Sequence, residues 1–251
     1  MWKASSNVLR CAEKGPNMIE GAYNFREIGG LFTRKGQPIK SGRLYRSDTL
    51  QALTAADVEY LHEQIGLRGI VDLRLGWEVA GEGKGPLAYL PDIKYVNTPL
   101  DVAATVGIPH DEVMDRLYLS ALAPGSKLGE AVEHICDLSE QPVVFHCAAG
   151  KDRTGMLAAL ILRLLDVDDK AIISEYMLSS TAMPRMIERF STWPAYRDHM
   201  MLAPPNAYRV EAAPLRAFLH HLDHEFGGAH AWAEANGVSS SSLKRLISNV
   251  L

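Results

Sequence analysis

The stretch from Pro142 to Leu165 limits the possible folds most. Pro142-Val143-Val144-Phe145 is a short apolar run, the pattern of a strand covered on both faces. Leu157, Leu160, Ile161, Leu164 and Leu165 then recur at i, i+3, i+4, i+7 and i+8, which is one face of a helix. Between them stands His146-Cys147-Ala148-Ala149-Gly150-Lys151-Asp152-Arg153-Thr154-Gly155. The segment therefore reads as buried strand, tight loop and helix. Such a loop turns several backbone N–H groups toward one point, and the helix N-terminus adds positive potential. Together they make an anion site, and phosphate is its natural guest.

The side chains of the loop add chemistry to that cradle. Cys147 stands at its strand end and Arg153 at its helix end, a spacing that lets both face one guest. The thiolate is the nucleophilic form of cysteine, and helix N-termini and nearby cations favour it. Arg153 presents a planar fork matched to two phosphate oxygens. Gly150 frees one loop position for positive φ, and Gly155 allows close helix packing. Thr154 is placed to donate its hydroxyl to the sulfur, and His146 to fix the loop through its ring nitrogens. The backbone of Ala148, Ala149, Gly150 and Lys151 supplies the cradle. A nucleotide-binding reading of Gly150-Lys151 fails. That motif needs a glycine where Phe145 stands and Ser or Thr where Asp152 stands.

Cysteine, five residues, arginine and then Thr resembles the signature of the cysteine-dependent protein phosphatases. The fuller string HCxxGKDRTG resembles the bacterial tyrosine/dual-specificity phosphatases related to phosphoinositide phosphatases. The likeness extends to Asn24-Phe25-Arg26-Glu27-Ile28-Gly29-Gly30, where Glu27 replaces the usual Asp of an NFRD-type motif. It continues in Tyr45-Arg46-Ser47 and in Asp72-Leu73-Arg74 followed by Glu78. The resemblance implies a phosphotyrosine-phosphatase-like α/β fold and hydrolysis of phosphate monoesters through a cysteinyl-phosphate, with no metal and no cofactor. It implies a phosphorylated protein or a phosphoinositide as substrate, and inorganic phosphate as product. Lys151 supports a multiply phosphorylated inositol headgroup beside phosphotyrosine. Asp152 is the first choice for general acid. Asp101, which begins a loop after a strand, is the second, and Asp72 the third. The motifs at 24–30 and 45–47 are read as fixing the fold by hydrogen bonds. Asp72 either positions the arginine or substrate, or forms an ion pair that holds its strand end.

Two other classes compete with this reading. One is a catalytically silent module that captures a phosphorylated ligand through the same loop. The other uses the cysteine loop for sulfur transfer or arsenate reduction, against which the Arg153-Thr154 pair and the 24–30 and 72–74 motifs argue.

The rest of the chain supplies the frame. Its 251 residues suit a single domain over 1–251, with a loose arm over 1–18 and a helical extension over 168–251 able to act as a lid. The expected architecture is a central, mostly parallel sheet of four to five strands flanked by helices, with an N-terminal hairpin turning at Lys35-Gly36. Thr54-Ala55-Ala56-Asp57 is a capping-box helix start, and Gly66 is the stop. Gly81–Gly85 reads as a glycine-rich loop, and 102–108 as a mobile stretch. Helices are expected over 110–121 and 127–138, and beyond Asp166 over 168–179, 182–191, 194–201, 212–225, 228–235 and 240–249. Ser239–Ser242 caps the last.

Net charge is −4, with both signs interspersed, so no basic face marks the chain for nucleic acid. No run is long enough for stable membrane insertion, and the three cysteines form neither a disulfide framework nor a zinc site. The expected location is cytoplasmic, with export by another route left open. The sequence carries no signal for oligomeric state. His220, His221, Asp223 and His224 read as a solvated helix face rather than a metal site. Trp193-Pro194-Ala195 reads as a helix start. The methionines and aromatics of 177–201 read as core, or as an apolar surface over the site.

Overall fold

The computed structural model describes residues 19–101, 112–194, 196–197, 200 and 207–251. The expected arm over 1–18, the stretch 102–108, the start of the 110–121 helix and much of the 194–201 helix lie outside the described residues.

A five-stranded sheet carries the fold, with spatial order β1-β2-β5-β3-β4. The strands are β1 (Arg26–Glu27), β2 (Leu44–Ser47), β3 (Gly69–Asp72), β4 (Lys94–Asn97) and β5 (Val143–His146). β1 runs antiparallel to β2, and all other neighbours are parallel. β5 sits centrally, and the continuous apolar run Val143-Val144-Phe145 is buried on both faces, as parallel strands require. In register, His146 stands beside both Ser47 and Asp72, so β2, β5 and β3 end together. Sites in open α/β sheets form at such carboxyl ends.

The helices are α1 (Ala55–Glu59), α2 (Gly76–Glu82), α3 (Val113–Ser120), α4 (Leu128–Leu138), α5 (Asp152–Leu164), α6 (Asp169–Met177), α7 (Met183–Thr192), α8 (Ala212–Phe226), α9 (Ala229–Ala235) and α10 (Ser240–Val250). The capping box at Thr54 forms, with Asp57 N donating to Thr54 Oγ1 at 3.2 Å and Thr54 N to Asp57 Oδ2 at 3.0 Å. Ser239 caps α10 through Ser242 N at 3.0 Å. The turn at Lys35-Gly36 forms a short hairpin around the bridge Phe32–Pro38, with Thr33 N donating to Gln37 O at 2.9 Å, Ile39 N to Leu31 O at 2.8 Å and Gly30 N to Ile39 O at 3.0 Å. The antiparallel pairing within the main sheet joins Arg26-Glu27 to Tyr45-Arg46. Gly81 lies inside α2 rather than in a loop, and the turn comes at Gly83, with φ +81°.

One core cluster joins the sheet to the C-terminal helices. Val71 and Phe145 share it with Leu157 and Ile161 of α5, Phe218 and Leu222 of α8, Trp232 of α9 and Leu246 of α10. The helices α6, α8, α9 and α10 are therefore built into this core, while the buried residues of α7 form a separate cluster with Ala148. Among the described residues, no helix is long and apolar enough to cross a membrane.

Candidate active site

The loop from Cys147 to Lys151 is moored from behind. Gly150 has φ +65°, and a Cβ there would lie 2.4 Å from Ser47 O. Only glycine lets the loop rest on the end of β2. Thr49 N donates to Ala148 O at 3.0 Å. Asn24 Nδ2 donates to Ala149 O and to Gly150 O, both at 3.0 Å. Arg46 Nη2 donates to Gly150 O at 2.7 Å. In a trans peptide, C=O and N–H point to opposite sides. Anchoring these carbonyls turns the amides of Ala149, Gly150 and Lys151 away from the anchors, as an anion cradle needs.

Glu175 of α6 holds the anchors themselves. Its carboxylate accepts Arg26 Nε and Arg46 Nη1, each at 2.6 Å. Burial pushes its carboxyl up, but the two guanidiniums outweigh burial and hold it below the ordinary carboxylate range. The 24–30 and 45–47 motifs thus act on the loop by hydrogen bonds through its carbonyls.

Arg153, in the first turn of α5, is aimed by Glu78 of α2. Nη1 donates to Glu78 Oε2 at 2.6 Å, and Nη2 to Glu78 Oε1 at 2.9 Å. Nη1 also reaches Leu73 O at 3.3 Å. Glu78 is enclosed, and it caps its own helix by accepting Leu75 N at 2.7 Å.

Asp152, beside Arg153, keeps part of its side chain exposed. Its Oδ1 accepts Tyr118 Oη at 2.8 Å and lies 3.3 Å from Lys151 Nζ. Lys151 is not a solvated lysine at the mouth. It is buried, and Nζ donates to Ala207 O at 2.5 Å and Arg209 O at 2.8 Å.

His146 and Asp72 form a layer beneath the loop. His146 Nδ1 contacts Cys147 O at 3.3 Å, and Nε2 lies 3.7 Å from Asp72 Oδ2. Burial pushes the imidazole below its ordinary value, against the pull of Asp72, and keeps it neutral at pH 7. Asp72 is fully enclosed. It accepts Arg74 Nη2 at 2.7 Å, Arg74 Nε at 3.0 Å and Tyr95 Oη at 2.8 Å. Burial pushes its carboxyl up, but the hydrogen bonds and charge of Arg74 outweigh it and hold the group ionised. Asp72 therefore stands as an ion pair at its strand end and is not among the residues lining the cavity described next. Thr154 Oγ1 is buried with no hydrogen-bond partner among the described residues, so the expected bond to the sulfur is not formed here. Asp101 is exposed after β4.

Cys147, Ala148, Ala149, Lys151, Asp152 and Arg153 line one cavity of about 160 Å³. Met183 and Phe190 of α7, with Ala207 and Tyr208, close its far side. Met183, Met186 and Phe190 pack with Ala148 and Tyr196. The methionine-rich region is thus both core and wall. Trp193 ends α7, and Pro194 opens the next helical turn.

The sequence profile of the tyrosine phosphatase family matches residues 17–251. The chain belongs to the tyrosine phosphatase family. The triple specificity protein phosphatase PtpB of Mycobacterium tuberculosis is 26% identical over 271 residues, covering 91% of this chain and 96% of that protein. A putative tyrosine-protein phosphatase of Cupriavidus necator is 31% identical over 182 residues, 65% of each chain. The crystal structure of the core catalytic domain of the PP-IP phosphatase SIW14 from S. cerevisiae aligns with TM-score 0.37 and 19% identity, over 71% of this chain and 93% of that one.

In this tyrosine phosphatase, several functional partners carry no local signal. Glu175, Tyr118 and Tyr176 sit in ordinary helical patterns distant in sequence from the loop. Arg189 of α7 likewise reaches Asp48 Oδ2 at 3.1 Å and Gly21 O at 3.0 Å, fastening α7 beside the loop.

Proposed function

We propose that the chain hydrolyses phosphate monoesters in two steps through a cysteinyl-phosphate on Cys147. One observation carries this reading: Cys147, Arg153 and Asp152 line the same cavity, behind which the loop carbonyls are anchored. Cys147 attacks phosphorus in line. The loop amides and the Arg153 fork hold the equatorial oxygens and stabilise the charge that develops there. Asp152 gives its proton to the leaving oxygen as the P–O bond breaks. Water then attacks phosphorus, Asp152 takes up its proton, and the S–P bond breaks to release phosphate. The unpartnered Thr154 hydroxyl is available to donate to the departing thiolate. His146 and Asp72 act from beneath, by fixing the strand end.

Asp152 is preferred to Asp72 because Asp72 is closed in by Arg74 and Tyr95. Phosphotyrosine leads the substrate range, with phosphoserine, phosphothreonine and phosphoinositides beside it. The name of the M. tuberculosis relative carries a triple specificity, which supports that breadth.

The test is p-nitrophenyl phosphate turnover with chelator present, with Cys147→Ser as control. Turnover that persists with chelator and vanishes in Cys147→Ser is the expected result. Turnover surviving the serine change overturns the cysteinyl-phosphate. Stoichiometric binding of phosphotyrosine without phosphate release returns the silent binding module. A panel of phosphopeptides and phosphoinositides then ranks the substrates.

A further inference from the structure

The two oxygens of Asp152 are treated unequally. Oδ1 accepts Tyr118 Oη at 2.8 Å and lies 3.3 Å from the Lys151 ammonium. No hydrogen bond among the described residues reaches Oδ2. Tyr118 is fully buried on α3, so its hydroxyl has no water to turn to. Its one proton is committed to Asp152. In the 2.7 Å contact between Tyr118 Oη and Tyr176 Oη, Tyr176 is therefore the donor. The donor order runs from Tyr176 to Tyr118 to Asp152. Burial, then the Asp152 carboxylate, holds the Tyr118 hydroxyl well above its ordinary value, so it stays a donor. Gly155 makes room for the arrangement, because a Cβ there would lie 2.9 Å from the Tyr176 ring.

We propose that Tyr118, backed by Tyr176, is a positioning residue that decides which oxygen of Asp152 carries the acidic proton. A neutral carboxyl has one O–H. On Oδ1 that hydrogen would face the hydroxyl hydrogen of Tyr118 and the ammonium of Lys151. On Oδ2 it meets neither. The proton therefore rides on Oδ2, the oxygen left free for the leaving group, and after transfer Oδ1 keeps the Tyr118 donor and the Lys151 charge. The charged and titratable groups around the relay are Lys151, Arg153 and Cys147 in the loop, with Arg46 of β2 and Glu211 facing Tyr176. The inference rests on Asp152 being the general acid.

The test uses Tyr118→Phe, Tyr176→Phe and Asp152→Asn, each checked for folding by thermal melt. Tyr118→Phe keeps the ring and removes a donor that favours the ionised carboxylate. The alkaline limb of kcat is expected to move up by about one pH unit. Phenyl phosphate, with its poor leaving group, is expected to lose about tenfold or more in kcat, and p-nitrophenyl phosphate less than about threefold. Tyr176→Phe moves the limb the same way by less. If Tyr118→Phe does not fold, the limb of Tyr176→Phe decides by direction. Full phenyl phosphate turnover in Asp152→Asn removes the acid assignment itself. An impaired Asp152→Asn beside a folded Tyr118→Phe with an unmoved limb overturns the Tyr118 proposal alone. So does an undiminished further loss when Tyr118→Phe is added to Asp152→Asn, because that loss would be structural.

Discussion

Arg153 and Glu78 meet fork to fork, with Nη1 2.6 Å from Oε2 and Nη2 2.9 Å from Oε1. The pair spans from the first turn of α5 to α2, and the carboxylate is the more deeply enclosed partner. Burial alone would push Glu78 up, but the Arg153 hydrogen bonds outweigh it and hold the carboxyl below its ordinary range. The fixed fork leaves Arg153 preorganised for a planar set of phosphate oxygens, which lysine could not match.

Glu78→Gln is expected to lower kcat/KM by about 10²-fold, because a misaimed guanidinium loses the transition-state geometry. Inhibition by vanadate should weaken in parallel. Steady-state kinetics on p-nitrophenyl phosphate check this. Turnover equal to the parent would show that Arg153 finds its position without Glu78.

Glu175 never lines the cavity, yet it ties Arg26 and Arg46 together at 2.6 Å each. Glu175→Ala leaves two enclosed guanidiniums uncompensated, and breaking buried pairs of this kind costs about 3–5 kcal/mol. A lowered denaturation midpoint with a reduced kcat is expected, since Arg46 is also the mooring of Gly150 O. A stable variant with full kcat would count against the loop being held from behind.

The strand, loop and helix around Cys147 were legible because their information is local. Three apolar residues, two glycines and a helical repeat sit side by side. The capping box at Thr54 and the serine cap of α10 were legible for the same reason. Glu175, Tyr118 and Tyr176 were not, since each reaches the loop across the fold from a helix whose own pattern reads only as core or surface. The resemblance pointed to Glu78 as a motif member, but only the folded chain shows it gripping Arg153. Lys151 was legible only in part. The sequence offers it as a cation for a phosphorylated headgroup, and nothing local announces that the carbonyls of Ala207 and Arg209 come back to cover it.

Acid should destabilise the protein in two stages. Burial holds His146 below its ordinary value. The unfolded chain thus takes a proton near pH 6.5 that the folded chain refuses, and stability present above about pH 6.5 is lost as pH falls. Glu78, Glu175 and Asp72 are held low despite burial, by Arg153, by Arg46 and Arg26, and by Arg74 respectively. Their contribution is present above about pH 4 and fades as pH drops through the folded values. Asp48 and Glu27, both pushed up by burial, work in the opposite sense. His146→Asn therefore isolates the upper stage: its midpoint temperature should change less than the parent's between pH 7 and pH 5.5. Equal slopes would clear His146 of the linkage.

Lys151 tests what the cation next to the nucleophile loop is for. An ammonium has three donors. Ala207 O at 2.5 Å and Arg209 O at 2.8 Å take two of them, and Asp152 Oδ1 lies at ion-pair distance, 3.3 Å. A second phosphate on an inositol ring would have to compete with these partners. Lys151→Met keeps the buried stem and removes the donors, leaving two carbonyls to find water, at a cost of about 1–3 kcal/mol. Because Ala207 and Tyr208 line the cavity, amide exchange over 207–210 should quicken in this variant. With two donors held by backbone carbonyls and its charge facing Asp152, Lys151 is expected to hold the wall more than to read the headgroup. Phosphotyrosine and phosphoinositide turnover should then fall by the same factor, within about threefold. A phosphoinositide loss ten times greater than the phosphotyrosine loss would mean that the ammonium leaves its carbonyls for the second phosphate, and that opening of the 207–209 segment is part of substrate entry.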